Sequence, residues 1–119
     1  MLFENFLKEI KTVGGLTVNH HLNKITFDSG YIVAEKGVII DTKELSDINI
    51  IAAMKNAIDS IYFDNCKIGF WLDTDGLLYV DIVHHYQTIE YAKFFGLQWS
   101  QKAIFDCSNN VEISFPFNF

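Results

Sequence analysis

Residues 68–86, IGFWLDTDGLLYVDIVHHY, form the stretch of sequence that decides the fold. Two runs of β-branched and aromatic residues flank Asp73-Thr-Asp-Gly76, a turn whose glycine readily takes a positive φ. This segment therefore predicts a β-hairpin. A three-residue connection with Gly76 in a bulge places Trp71 opposite Tyr79 on the two strands.

Side chains alternate along a strand, so the hairpin has two faces of different composition. Trp71 and Tyr79 share one face with two carboxylates, and tryptophan and tyrosine are common anchors at protein interfaces. The candidate binding residues on this face and in the adjoining turn, named here the hairpin face, are Trp71, Asp73, Asp75, Tyr79 and Asp81. The alternative is that a helix of the same chain covers them. The opposite face is predicted core: Phe70, Leu72, Leu78, Val80 and Ile82.

Apolar residues at helical spacing predict three helices. The first covers Leu2 to Lys11 and is ended by Gly14-Gly15. The second, the main core helix, covers Asp47 to Ile61 and is capped by Ser46, and a short third helix runs from Thr88 and stops at Gly96.

The remaining strands are predicted from β-branched and aromatic runs. Two lie between Leu16 and Lys36-Gly37, and residues 38–40 either begin a third or continue the meander. A last pair covers 102–106 and 111–115. We therefore expect a single α+β domain over 1–119, with a mostly antiparallel sheet of about five strands covered by two to three helices.

The charge balance argues against direct nucleic-acid binding. All nine basic residues are lysine, against fifteen acidic residues and a formal charge of −6. Arginine supplies the bidentate contacts that phosphate and guanine recognition favours, and an acidic surface is repelled by a phosphate backbone. Acidity either keeps an apolar-rich chain soluble or steers it toward a basic partner, including one whose normal ligand is nucleic acid.

No apolar run is long enough for a membrane helix, and the N-terminal residues carry acids where a signal peptide is basic and then apolar. We therefore expect a cytoplasmic protein with no membrane partner. Cys66 and Cys107 fit neither a disulfide framework nor a zinc site, so both are expected to be reduced and partly buried.

Five motifs together resemble a family of short accessory proteins carried by phages, prophages and other mobile elements. They are the patterns GGxTxN from Gly14, GYxVA from Gly30, GxWxD from Gly69, YVDxV from Tyr79 and QxAIFD from Gln101. The resemblance spans residues 14–106, and the tail Ser114 to Phe119 departs from the family pattern.

The resemblance implies a mobile-element context and no catalytic mechanism. Small proteins in that setting often disarm a host defence system by binding it. We therefore expect a non-enzymatic inhibitor of a host protein, such as an anti-CRISPR or anti-restriction protein that acts on a nuclease in the host cytoplasm. No catalytic residue, metal ligand or cofactor is expected.

Two other classes of function stay open. A small hydrolase or metal-dependent enzyme would use Asp73, Asp81 and a histidine. The histidines occur as His20-His21 and His84-His85, and neighbours on a strand point to opposite faces, so neither pair chelates one ion unaided. A Cys107 nucleophile with a histidine base lacks any local motif.

The third class is a homodimeric structural protein. Phe115, Phe117 and Phe119 alternate along the tail and would form a bare aromatic stripe if nothing covered them. Either this segment packs on its own domain, which we favour, or it docks on another chain by strand addition or dimerisation.

Overall fold

The computed structural model describes residues 2–62 and 65–115. In chain order the elements are α1 (Leu2–Val13), β1 (Gly15–Val18), β2 (Lys24–Ile25), β3 (Tyr31–Asp41), α2 (Asp47–Ile61), β4 (Lys67–Leu72), β5 (Leu77–Tyr86), α3 (Ile89–Gln98), β6 (Ala103–Asp106) and β7 (Val111–Ser114). The strands form an antiparallel sheet in the order β2-β1-β4-β5-β3-β6-β7. The α+β prediction is confirmed, with seven strands instead of about five; β2 has only two residues, too few to show a period-two pattern.

The chain divides into two compact units. The first comprises Met1–Ile25 and Gly37–Ile82, and the second comprises Thr26–Lys36 and Val83–Phe119. Each unit has its own cluster of buried apolar side chains. None of the helices in the described ranges is long and apolar enough to cross a membrane.

In the first unit, α1 and α2 bury their apolar stripes in one core. Gly14 follows the last residue of α1 and has a left-handed backbone conformation, with φ +93°. Its N–H donates to the Ile10 carbonyl at 2.8 Å, which is the last backbone hydrogen bond of the helix. The Ser46 hydroxyl accepts a hydrogen bond from the Asn49 N–H at 3.3 Å, which confirms the predicted cap of α2. The most deeply buried side chains of this core are Ile10, Val18, Met54, Ile68, Phe70, Leu78, Val80 and Ile82.

In the second unit, a smaller core forms around α3. The Thr88 hydroxyl caps this helix by accepting the Tyr91 N–H at 3.4 Å. The buried side chains are Val33, Ala92, Ile104 and Phe115. Phe115 therefore packs within its own chain, whereas Phe117 and Phe119 lie outside the described residues.

The predicted stop of α3 at Gly96 is wrong, because the helix continues to Gln98. Gly96 is buried against Phe115, and a Cβ at this position would come within 2.6 Å of the ring Cζ. The glycine therefore allows close packing, and the left-handed conformation that follows the helix is taken by Ser100, with φ 56°.

The predicted strand boundary at Lys36-Gly37 is also wrong. Strand β3 runs without interruption from Tyr31 to Asp41, so residues 38–40 continue it. Gly37 lies against β5, where a Cβ would overlap the Val80 carbonyl oxygen. A glycine is needed at position 37 because β3 and β5 approach each other closely there, and glycine inside a strand often marks such a contact.

Candidate functional site

The turn of the hairpin has the predicted three-residue connection. The Asp73 N–H donates to the Leu77 carbonyl at 3.0 Å, and the Gly76 N–H donates to the Asp73 carbonyl at 3.0 Å. Gly76 has φ +82°, which is the left-handed conformation that a bulge of this kind requires. Counted from the Asp73–Leu77 bond, the register places Trp71 opposite Tyr79 and Gly69 opposite Asp81.

The two faces of the hairpin differ as the sequence predicts. Phe70, Leu78, Val80 and Ile82 are buried, and Leu72 packs partly buried against the same core. On the opposite side, Trp71 is 43 % exposed, and Ile39 of β3 is 58 % exposed. The helices α1 and α2 contribute to the core on the buried side, so neither covers the exposed Trp71.

Trp71 is held in position by the neighbouring strand β1. It pairs with Gly15, and a Cβ at Gly15 would come within 3.0 Å of the Trp71 ring atom Cε3. The indole therefore lies over a residue without a side chain. This contact orients the ring while leaving much of its surface accessible to a partner.

Asp81 is the unusual carboxylate of the hairpin face. It lies against Gly37 of β3, where a Cβ would overlap the Asp81 Oδ1 atom. Burial raises the pKa of the carboxyl group from 3.8 to about 6. Within residues 2–62 and 65–115 the carboxylate has no hydrogen bond or ion pair, yet its oxygens are not fully enclosed. Such a poorly solvated acid is characteristic of binding and catalytic sites.

The other two acids of the hairpin face have different positions. The Asp73 Oδ1 atom accepts the Asp75 N–H at 2.7 Å, so this carboxylate stabilises the turn. Asp75 is exposed in the turn itself. Tyr79 is half-buried on β5, two residues before Asp81. The role of all five residues in binding stays a prediction.

The histidines occupy two different environments. His20 and His21 lie in the turn after β1 with ring centroids 4.0 Å apart, so the expectation that they point to opposite faces is wrong, because strand alternation does not apply in a turn. His84 and His85 lie on β5 and follow the expected alternation. The His84 Nε2 atom is 2.8 Å from Glu35 Oε1, and the His85 Nε2 atom is 2.7 Å from the Ser29 carbonyl oxygen.

The metal ligands and thiols considered for the enzymatic alternative have the following positions in the described residues. In those ranges no group of three or more histidine, cysteine, aspartate or glutamate side chains is arranged to hold a metal ion. Both cysteines are free thiols; Cys107 is partly buried as predicted, whereas Cys66 is fully buried. The pKa of the Cys107 thiol is raised, mainly by burial and to a smaller extent by the negative charge of Asp106. The raised pKa lowers the fraction of reactive thiolate.

One cluster in the second unit was not predicted. The His84 ring lies 4.8 Å from that of Trp99, and Trp99 stacks on Phe95 at 5.1 Å. Phe95 stacks on Tyr86 at 4.9 Å, while burial and the nearby Glu35 charge raise the pKa of the Tyr86 hydroxyl. Two sequence signals could have indicated this aromatic cluster. Phe95 and Trp99 have i, i+4 spacing on a helix, and His84 and Tyr86 lie on the same face of a strand.

Comparisons with other proteins give no independent indication of function. No family model matches the sequence, and neither a curated protein nor a solved structure matches the chain. The functional argument therefore depends on the residues of this chain.

Proposed function

We propose that this chain is a non-enzymatic binding protein of a mobile element, which binds and inhibits a basic host protein through the hairpin face. The observation that carries the proposal is Trp71, a large aromatic side chain that is 43 % exposed on a strand beside the poorly solvated carboxylate of Asp81. The mobile-element context comes from the resemblance of the sequence motifs alone.

An exposed tryptophan held in one orientation is suited to anchor an interface. Tryptophan contributes a large apolar area and loses little side-chain entropy on binding, which is why truncation of such anchors often costs 2 kcal/mol or more, as an order of magnitude. Gly15 beneath the ring favours a fixed orientation before the partner arrives.

The net charge supports a basic partner and suggests how inhibition works. A chain with a formal charge of −6 and no arginine is attracted to the positive surface that a nuclease uses for its nucleic-acid substrate. An acidic protein bound there would compete with the substrate for the same surface. The proposed target is therefore a defence nuclease of the host, and the association rate should fall steeply with salt.

The test is affinity capture from a lysate of a host that carries a defence nuclease. The purified protein is expected to retain one basic protein stoichiometrically at moderate salt, and the Trp71→Ala variant is expected to lose it. Tyr62→Ala is the matched control, because Tyr62 is an aromatic residue 44 % exposed at the end of α2. Capture that survives Trp71→Ala would place the interface elsewhere.

A second candidate function, a homodimeric accessory protein, is favoured by a different surface. Tyr91, Phe94 and Leu97 recur at three-residue intervals on α3 and are 63 %, 58 % and 48 % exposed. Apolar residues in one helical stripe often meet a partner. Sedimentation over a hundredfold concentration range decides this case, because a mass that stays monomeric excludes the dimer.

A further inference from the structure

Asp81 is flanked by glycines on both neighbouring strands. Gly37 of β3 lies directly against it, and the hairpin register places Gly69 of β4 opposite it. Neither glycine has a side chain, so neither places side-chain atoms beside the acid. Trp71 and Tyr79 form the next cross-strand pair along the hairpin. We call this arrangement of Asp81, Gly37, Gly69, Trp71 and Tyr79 the Asp81 notch.

The notch holds a charge that the described residues do not neutralise. Burial disfavours the ionised carboxylate, and within the described ranges no hydrogen bond or ion pair compensates it. Among the described residues, lysine forms ion pairs away from Asp81: Lys11 with Asp47, Lys24 with Glu9 and Lys43 with Asp41. A cation from another molecule would therefore find an acid that is already partly desolvated and reachable from solvent.

We propose that the Asp81 notch binds the guanidinium group of an arginine side chain supplied by a basic protein partner. The inference rests on the proposed binding function and deepens it, because it names the group that the hairpin face recognises. The carboxylate accepts two parallel N–H hydrogen bonds from the guanidinium, and the 43 % exposed surface of Trp71 supplies an aromatic contact for the planar cation at the edge of the notch.

Arginine fits this site better than lysine for two physical reasons. Its guanidinium is planar and matches both a carboxylate edge and an aromatic face, whereas an ammonium group is a compact point charge. It is also more weakly hydrated, so it loses less when it enters a partly buried site. The chain itself contains no arginine, so a second copy of this protein has no arginine with which to occupy the notch.

The experiment is an NMR titration of the ¹⁵N-labelled full chain with two neutral-capped tripeptides, Gly-Arg-Gly and Gly-Lys-Gly. We expect saturable shifts at the Trp71 indole N–H and at the amides of Gly37, Gly69 and Asp81, with the arginine peptide bound more tightly. Asp81→Asn is expected to weaken its binding by about tenfold or more, because charge-assisted hydrogen bonds are lost. The charge-matched control is Asp59→Asn, because Asp59 is an exposed acid on α2. This variant should change the affinity for the arginine peptide by less than about twofold.

A steric variant tests the shape of the notch separately from its charge. Gly69→Val adds a β-branched side chain opposite Asp81 at a strand position that favours such residues. We expect it to keep the hairpin folded, as judged by dispersed amide signals, and to abolish the shifts at Trp71 and Asp81. Equal affinity for both peptides, or equal effects of Asp81→Asn and Asp59→Asn, overturns the proposal.

Host-protein capture separates this inference from the proposed function. If the captured partner is lost in Trp71→Ala and kept in Asp81→Asn, the arginine site is refuted and the binding function stands. If the arginine peptide binds at the notch and no host protein is captured, the site stands and the host-binding function is refuted.

Discussion

Gly37 and Asp81 lie on neighbouring strands in such close contact that a Cβ on Gly37 would overlap the Asp81 carboxylate oxygen. The glycine thus makes room for an acid in the sheet, and the surrounding backbone keeps water away from it. This one relationship accounts for the raised pKa of Asp81 and for the shape of the proposed arginine site.

The ionisation of Asp81 should make the protein less stable as pH rises. Its pKa is about 6 in the folded state against 3.8 as the usual value, so between these pH values the folded chain keeps a proton that the unfolded chain has lost. The free energy of unfolding therefore falls from about pH 4 to about pH 6. Asp81→Asn cannot ionise and should be more stable than the wild type at pH 7, by about 1 to 2 kcal/mol after allowance for solvent access.

Urea unfolding at pH 4, 5, 6 and 7 measures this difference. The advantage of Asp81→Asn should shrink steadily as pH falls from 7 to 4, because the folded wild-type carboxyl is protonated at pH 4 and the unfolded one is close to half protonated. If Asp81→Asn is less stable than the wild type at pH 7, the carboxylate of Asp81 is not destabilised by burial.

Gly37→Ala should destabilise the first unit. The added methyl would overlap the Val80 carbonyl oxygen and come within 2.7 Å of the Asp81 Cα atom, so the strands must move apart. Overpacking of this kind costs about 1 to 3 kcal/mol of unfolding free energy. Lys36→Ala, at the exposed neighbouring position, is the control and should stay within about 0.5 kcal/mol of the wild type in urea unfolding.

Gly96→Ala distinguishes a packing role from a helix-ending role by the sign of its effect. If helix propensity alone decided, alanine at this position in α3 would stabilise the protein by about 1 kcal/mol. The 2.6 Å approach to the Phe115 ring predicts a loss of about 1 to 3 kcal/mol instead. Thermal unfolding measures the sign, and the loss should be smaller in a Phe115→Leu background, because the two residues share one contact.

Asp106 should show the opposite pH dependence to Asp81. The Asn109 side-chain amide, 2.8 Å from Asp106 Oδ2, lowers the pKa of this carboxyl, and the N–H groups of Asn109 and Ser108 also donate to it. Its contribution to stability is therefore present above the usual aspartate pKa and is lost as pH falls through the folded value.

The measurement is the unfolding free energy of Asp106→Asn from pH 2 to pH 7. The variant should be less stable than the wild type at neutral pH, and the gap should close in acid. A gap that is the same at pH 7 and in acid would show that the charge of Asp106 does not contribute.

The periodic parts of the fold were predictable because their causes are local. Three helices, two of their caps and the bulged hairpin turn follow from apolar spacing, side-chain oxygens at Ser46 and Thr88, and a glycine in the turn. The alternation of side chains along a strand correctly placed Trp71 on the face opposite the buried Phe70.

Two of the errors fall where a residue type is selected by a contact distant in sequence. Gly96 and Gly37 have the sequence appearance of breaks, yet each lies inside an element because Phe115 or β5 approaches it closely. The pairing of Glu35 with His84 also joins residues far apart in the chain. Local patterns carry no information about such neighbours.

The sequence by itself determined the three helices and the hairpin of this protein, its acidic character without arginine and the residues that share the hairpin face. Helical and strand periods and net charge depend on composition and spacing alone. Only the tertiary structure decided that Asp81 is partly desolvated beside Gly37 while Asp73 stabilises a turn. The physical reason is that the solvation of a carboxylate depends on which strands surround it, and that is fixed only when the sheet assembles.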